Sequence, residues 1–366
     1  MPTLKLMFFV NASEVSAGGV RAKMFSQRLP KGWDIRFNYR PAKKWKGILP
    51  FIQSALGFRP DIIYVMDTAY TGVLAGRIAK QILGCKLIVD TGDVAYELAK
   101  STGNYSKRQL GLINWIEQMA IKNSDRLIVR GSYHKTLLES QGVQNVVFIP
   151  DGVDTLAVSP GDYLSLKTEL GLADSFVVGM VGTMIWSERH CMCYGWDVIE
   201  ALSMLKDLPV KALLIGDGDG RQILEARAKE LGISDRAIFT GQLPYEKMLR
   251  YLTAMDVCVS TQSNDLVGMV RTTGKLPLYL AYGKYVIATN VGEAMRVLPG
   301  IGCLLPYEGV RDALHPTRLA EHIRMLVAEP ERIKVAEAAF QVAKENFDYA
   351  LLAQRLTKVC EDLCDR

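Results

Sequence analysis

Residues Ser260–Ala294, STQSNDLVGMVRTTGKLPLYLAYGKYVIATNVGEA, decide the fold. The apolar run Met255–Val259 leads into them and reads as a buried parallel strand. A polar loop follows, then Arg271-Thr272-Thr273-Gly274-Lys275. Leu276–Tyr282 carries a helical pattern that Gly283 ends as a left-handed cap, and Tyr285–Thr289 reads as the next strand. Two cations, two hydroxyls and a glycine therefore lie between the C-terminal end of a strand and the start of a helix. An open α/β sheet binds ligands at that edge, and the free N–H groups of a helix start favour phosphate. The plainer alternative is a solvated loop before a capped helix; two threonines and a glycine between two cations favour phosphate.

Outward from that stretch, short apolar runs alternate with helical segments along the whole chain. The runs are Leu4–Val10, Asp61–Met66, Lys86–Asp90, Arg126–Val129 and Val146–Ile149, then Phe176–Val181, Val210–Ile215 and Ala237–Thr240, and Trp33–Asn38 reads as the second strand. This alternation predicts an α/β protein with parallel sheets covered by helices on both faces. A chain of 366 residues exceeds one ordinary core. Two doubly wound Rossmann-like domains facing a central cleft are expected, over residues 1–155 and 160–344, with turn-rich residues 155–165 between them. The last amphipathic helix, about Tyr349–Cys364 within 345–366, is expected to return to the first domain.

Composition narrows the classes. The chain is 49% hydrophobic and 23% charged, as soluble globular proteins are. No run of about 18 apolar residues predicts a membrane span, and Met1–Val10 lacks the features of a signal peptide. Seven scattered cysteines predict reduced thiols and a cytoplasmic protein. Neither His190-Cys191-Met192-Cys193 nor Cys360/Cys364 has a second half at zinc spacing, so no metal site is expected. Residues 1–150 hold 21 Lys and Arg against 10 Asp and Glu, whereas the remainder holds 23 against 29. The basic half suits an anionic partner such as a phospholipid surface. Arg40–Ile52 interleaves cations with Trp, Ile, Leu and Phe, as a segment lying on an anionic bilayer does; a lysine-rich loop leading into a core helix fits equally. No nucleic-acid module accompanies the basic patch, so nucleic acid is not an expected partner.

Other candidate site residues lie at strand ends. Gly18-Gly19 follows the first strand, before a helix expected from about Arg21 to Leu29, and would let a ligand approach the backbone. Asp90-Thr91-Gly92-Asp93 puts two carboxylates at a strand end. Asp93 could position or deprotonate an acceptor hydroxyl, and Asp90 could equally cap a turn. A lone His134 is more often structural than catalytic.

The order of motifs resembles the retaining glycosyltransferases of family 4, group 1, of GT-B fold. The matching pieces are Gly18-Gly19, Ile149-Pro150-Asp151-Gly152-Val153-Asp154, Val181-Gly182 with Tyr194-Gly195-Trp196-Asp197, Leu214-Ile215-Gly216-Asp217-Gly218, Phe239-Thr240-Gly241, and Lys275-Leu276-Pro277 through Ala281-Tyr282-Gly283-Lys284 to Val286-Ile287-Ala288-Thr289. The resemblance spans nearly the whole chain. It implies transfer of a sugar from a nucleotide-diphosphate sugar to an acceptor hydroxyl with retention, in glycan or glycolipid biosynthesis. It implies that Gly18 and Gly19 approach the diphosphate, that backbone at Gln242 and Leu243 meets the base, and that Arg271, Thr272, Thr273, Gly274, Lys275 and Leu276 cradle the phosphates. Gly182, Thr183, Arg189, Gly216 and Asp217 complete the expected donor-binding set. Asp93, Arg271 and Lys275 are the expected catalytic residues, with no metal and no cofactor beyond the sugar nucleotide itself.

Three departures stand out. The two glutamates usual in this family fall at Val270 and Leu278. The basic residue usual after the Val-Gly turn is Thr183, and the usual lysine is Tyr194; Arg189 could supply a replacement cation. Two alternatives to the transferase share the motifs: a non-catalytic GT-B module binding a nucleotide or a partner, and a sugar-nucleotide epimerase of the same fold.

Overall fold

The computed structural model describes residues 3–41, 44–158 and 163–364. The chain divides into two compact units. The first gathers residues through Asp154, Met269–Thr272, and the stretch from Phe347; the second holds Thr155–Gly268 and Thr273–Asn346.

The first unit is built on six parallel strands: β1 (Lys5–Val10), β2 (Asp34–Tyr39), β3 (Ile62–Met66), β4 (Lys86–Thr91), β5 (Arg126–Val129) and β6 (Val146–Phe148). They lie in the order β2-β1-β3-β4-β5-β6. Its helices include α1 (Ala17–Ser26), α2 (Ile48–Phe58), α3 (Tyr70–Leu83), α4 (Ala95–Thr102), α5 (Lys107–Asn123) and α6 (Ser132–Ser140). Apart from the edge strand β2, where Asp34, Arg36 and Asn38 alternate with Ile35, Phe37 and Tyr39, the strands are largely apolar because both faces are covered. Met7, Phe9, Ile63, Val65, Leu87 and Val89 pack against α2, α3 and α5. Leu6, Phe8, Ile62, Tyr64 and Ile88, from the alternate positions, pack against α1 and the last helix, Tyr349–Cys364. That helix belongs to the first unit because Leu352, Leu356 and Cys360 recur at helical spacing and are fully buried there.

The second unit repeats the plan with β7 (Phe176–Val181), β8 (Val210–Ile215), β9 (Ala237–Phe239), β10 (Val257–Ser260), β11 (Tyr285–Thr289) and β12 (Gly302–Leu305), in the order β12-β11-β10-β7-β8-β9. All pairings in both sheets are parallel. The α/β, GT-B arrangement expected of the chain is thus observed.

Several elements differ from expectation. α1 begins at Ala17, four residues early, because the Ser16 side chain accepts the Gly19 N–H at 3.1 Å and caps the helix there. Gly18 and Gly19 are therefore in a first helical turn, not in a turn before a helix. A side chain at Gly19 would meet the carbonyls of Ser13 and Glu14 at 2.5 and 2.2 Å, so the loop's own backbone fills that space. A helix over Tyr163–Glu169 occupies part of the segment expected to be turn-rich, and β12 had no counterpart in the sequence reading. The helix that follows β7 is Trp196–Ser203.

Candidate functional site

In the first unit the C-terminal strand ends converge on a buried charge cluster. Asp90, at the end of β4, is fully buried. It accepts from Arg21 Nε of α1 at 2.8 Å, from Arg130 Nε after β5 at 2.8 Å, and from the Tyr64 hydroxyl of β3. Arg130 also binds Asp67 at 2.8 Å, and Arg21 donates to the carbonyls of Ile149 and Pro150. Burial alone would raise the Asp90 carboxyl, but the Arg130 and Arg21 guanidiniums outweigh it and hold the group below its ordinary range. The paired state tightens the strand-end loops into one frame. Asp90 is neither a turn cap nor exposed to substrate, which corrects that part of the sequence reading.

Asp93, two residues past β4, is half-exposed and pairs with Arg271 Nε within this unit. The Thr272 hydroxyl donates to the Arg130 carbonyl. The Val270 carbonyl sits where a side chain at Gly131 would lie, 2.0 Å from an added Cβ. These contacts explain why Met269–Thr272 groups with the first unit. Asp93 and Arg271, expected separately as acceptor-side and phosphate-side groups, are thus brought together. His134, on α6, is 4% exposed, and its Nδ1 has no hydrogen-bond partner among the described residues. Burial pushes its imidazole down to about 4, with the Asp93 charge opposing weakly, so it is neutral and structural at pH 7.

In the second unit the expected donor-binding residues line the C-terminal ends of β7, β8 and β9. Gly216 and Gly218 are packing glycines, whereas a side chain at Gly182 would meet only ordinary contacts. Gly216 has φ +139, and a Cβ there would lie 1.9 Å from the Gly182 carbonyl oxygen. The Gly182 N–H donates to Ile215, Met184 N–H to Asp217, and Gly216 N–H to Gly241. Thr183, Arg189 and Gln242 are exposed beside this ladder, and Leu243 is half-buried. The Asp217 carboxylate accepts the Gly218 N–H at 2.9 Å and lies 3.8 Å from Arg221.

Beyond β10, Gly274 precedes the helix Lys275–Ala281, and Thr273 accepts the Leu276 N–H through its carbonyl at 3.0 Å. The Thr273 hydroxyl is buried without a hydrogen-bond partner among the described residues. Lys275 is 9% exposed, and its Nζ lies 3.9 Å from the centroid of the Tyr194 ring. Tyr194, at the position where the resemblance implies a lysine, thus carries the Lys275 ammonium on its ring face. No pattern in the sequence signals this pairing, because the partners are 81 residues apart. Val270 and Leu278, at the usual glutamate positions, are both buried. Glu293 is buried and binds Arg296 at 2.8 Å. Among the described residues, no three His, Cys, Asp or Glu side chains gather as a metal site.

Comparison with known proteins places these features in a class. Residues 175–329 match the family Glycosyl transferases group 1. Over those residues the chain is similar to that family, and its fold is that of GT-B glycosyltransferases. It is 26% identical over 219 residues to the 2-deoxystreptamine glucosyltransferase of Streptomyces kanamyceticus, covering 57% of this chain and 55% of that one. It is 25% identical over 312 residues to the alpha-maltose-1-phosphate synthase of Mycolicibacterium smegmatis, covering 80% and 76%. Anabaena HepE, solved in complex with UDP and glucose, superposes with a TM-score of 0.76 at 19% identity over 98% of this chain and all of that one. The match thus spans little more than half the length of the Streptomyces relative.

Proposed function

We propose that the protein transfers a sugar from a nucleotide-diphosphate sugar to an acceptor hydroxyl, with retention, in glycan or glycolipid biosynthesis. The observation that carries this reading is the group 1 match over the second unit, whose helix Lys275–Ala281 starts with a buried hydroxyl that has no hydrogen-bond partner among the described residues and a buried cation. The Thr273 hydroxyl suits a phosphate oxygen; of the first helical N–H groups, that of Leu276 donates to the Thr273 carbonyl and Pro277 has none. Negative charge grows on the departing diphosphate as the glycosidic bond breaks, and Lys275 and Arg271 are the cations assigned to stabilise it. Asp93, held by Arg271, orients the acceptor hydroxyl; the departing phosphate takes its proton while the acceptor attacks from the same face. Gln242 and Leu243 are assigned to the base. UDP is the first nucleotide to test, because the Anabaena relative is solved with UDP and with UDP-glucose.

Lys275→Ala and Arg271→Ala should each lower turnover about a hundredfold, measured as nucleotide-diphosphate release with acceptor present. Unchanged turnover in both variants refutes the cradle. Transfer is proposed to need no metal, so abolition by EDTA contradicts that part. One observation favours a second reading, a non-catalytic nucleotide-binding module: Val270 and Leu278 put buried apolar groups where carboxylates are usual. Product formation with any donor and acceptor disposes of it. Localisation on the cytoplasmic side is proposed on the scattered thiols. Among the described residues no helix is long and apolar enough to cross a membrane. Peripheral contact through Arg40–Ile52 remains a proposal, and Ala42 and Lys43 of that segment lie outside the described residues.

A further inference from the structure

We infer that the second unit carries a separate binding site for a small hydroxylated ammonium compound, among the helices Trp196–Ser203, Gly220–Glu230 and His315–Ala328. A cavity of about 170 Å³ lies there, closed on one side by the loop after β12. A cavity of about 150 Å³ takes up one benzene, so this one has room for a single six-membered ring. Asp197, in the first turn of the helix Trp196–Ser203, lines it and is 5% exposed. Its carboxylate has no hydrogen bond and no ion pair among the described residues. A buried carboxylate ordinarily gathers both. Arg311, on the loop after β12, lines the same cavity. Its Nη1 donates to the His190 carbonyl at 3.1 Å, and its guanidinium lies 5.6 Å from the centroid of the Trp196 ring. It too forms no ion pair among the described residues. A strong acceptor and a strong donor thus face one space without meeting.

Charge selects the ligand. Arg227 donates to Glu200 at 2.7 and 3.3 Å and to Glu230 at 3.1 Å. Those three side chains together carry one net negative charge. Asp312 is balanced by Arg318 at 2.7 Å and accepts the Glu308 and Leu314 N–H groups. With ionised Asp197 set against Arg311, the surroundings of the cavity hold one carboxylate in excess. An ammonium group supplies the missing charge and donates to Asp197. A hydroxyl on the same molecule accepts from Arg311, and Trp196 and Met204 give its ring an apolar wall. An anion would meet three carboxylates there. Burial pushes the Asp197 carboxyl up to about 7; Arg311 opposes the rise, and Asp312 and Glu200 add to it. Burial raises the Tyr307 hydroxyl far above that and lowers His315 to about 4, so neither competes with Asp197 between pH 6 and 8. The site is made of second-unit residues and does not depend on the transferase reading.

The test is a calorimetric titration of the full chain with trans-4-aminocyclohexanol at low salt. A compound of that size should bind with a dissociation constant on the order of a millimolar. Its amine, with a pKa of about 10, stays protonated at pH 6 and pH 8. Only ionised Asp197 attracts it, and that form falls from about nine-tenths at pH 8 to about one-tenth at pH 6, so affinity should fall about tenfold. The neutral trans-cyclohexane-1,4-diol should bind about tenfold more weakly at pH 8, and cyclohexylamine, which offers Arg311 no acceptor, about fivefold more weakly. Asp197→Asn should weaken binding about tenfold at pH 8 and remove the pH dependence. It leaves no buried charge, so its Tm should not fall. Met204→Trp fills the cavity, leaves Asp197 in place and should abolish binding. Saturating UDP should leave the affinity unchanged. Equal binding of the diol and the amine, an affinity independent of pH, wild-type affinity in Asp197→Asn, displacement by UDP, or no binding at all would each overturn the inference.

Discussion

Replacing His134 with Met should make the protein less sensitive to mild acid. The imidazole is buried on α6, its Nδ1 lacks a hydrogen-bond partner among the described residues, and burial takes it from 6.5 to about 4. The folded chain thus binds fewer protons than the unfolded chain between those values. Stability from this group is complete above pH 6.5 and falls as the pH drops toward 4. Each unit of pH in that window is worth about 1.36 kcal/mol, so a fall from pH 7 to 5 costs about 2 kcal/mol through His134. A methionine of similar volume fills the site at a cost of about 1.5 kcal/mol or less and carries no titration. Urea unfolding of wild type and variant at pH 7 and pH 5 gives the double difference, in which that packing cost cancels. The variant should lose about 2 kcal/mol less than the wild type. Equal losses would show that the imidazole takes its proton without unfolding, and the burial argument would fail.

Asp90→Ala leaves two buried guanidiniums short of their shared carboxylate, and should cost about 3–5 kcal/mol, seen as a fall in Tm of roughly 10 °C. A change under about 1 kcal/mol would show that Asp67 and Asp151 take over its role. Gly216→Ala drives a Cβ into the Gly182 carbonyl from a positive φ and should lower Tm strongly, whereas Gly57→Ala meets nothing and should raise it by up to about 1 kcal/mol in stability. Removing the ring beneath Lys275 with Tyr194→Ala should weaken nucleotide-diphosphate binding by up to about tenfold in a calorimetric titration. An unchanged dissociation constant would detach that pair from the donor site.

The sheets were legible because most strands are covered on both faces, so Ile62–Met66 or residues 212–215 stand out as uninterrupted apolar runs. β12 escaped because Gly302–Leu305 is four residues long, begins with glycine and is only partly buried in its first three residues. The start of α1 was misplaced because Gly18-Gly19 looked like a turn, while the capping role of Ser16 outweighed the low helix propensity of glycine. Asp93 and Arg271 were each readable as chemical groups at strand ends, but not as a pair 178 residues apart. Asp90 was misread for the same reason, since its partners Tyr64, Arg130 and Arg21 stand 26, 40 and 69 residues away in sequence.

The central claim is that the chain uses a nucleotide-diphosphate sugar, and the most direct measurement is a titration of the purified protein with UDP, GDP, ADP and CMP, read by thermal shift. A nucleotide at about 100 times its dissociation constant adds about 2.7 kcal/mol to stability, a readable rise in Tm. One nucleoside diphosphate, UDP first, should stand apart from the others, with its effect lost in Lys275→Ala. No shift from any of the four would contradict the donor site.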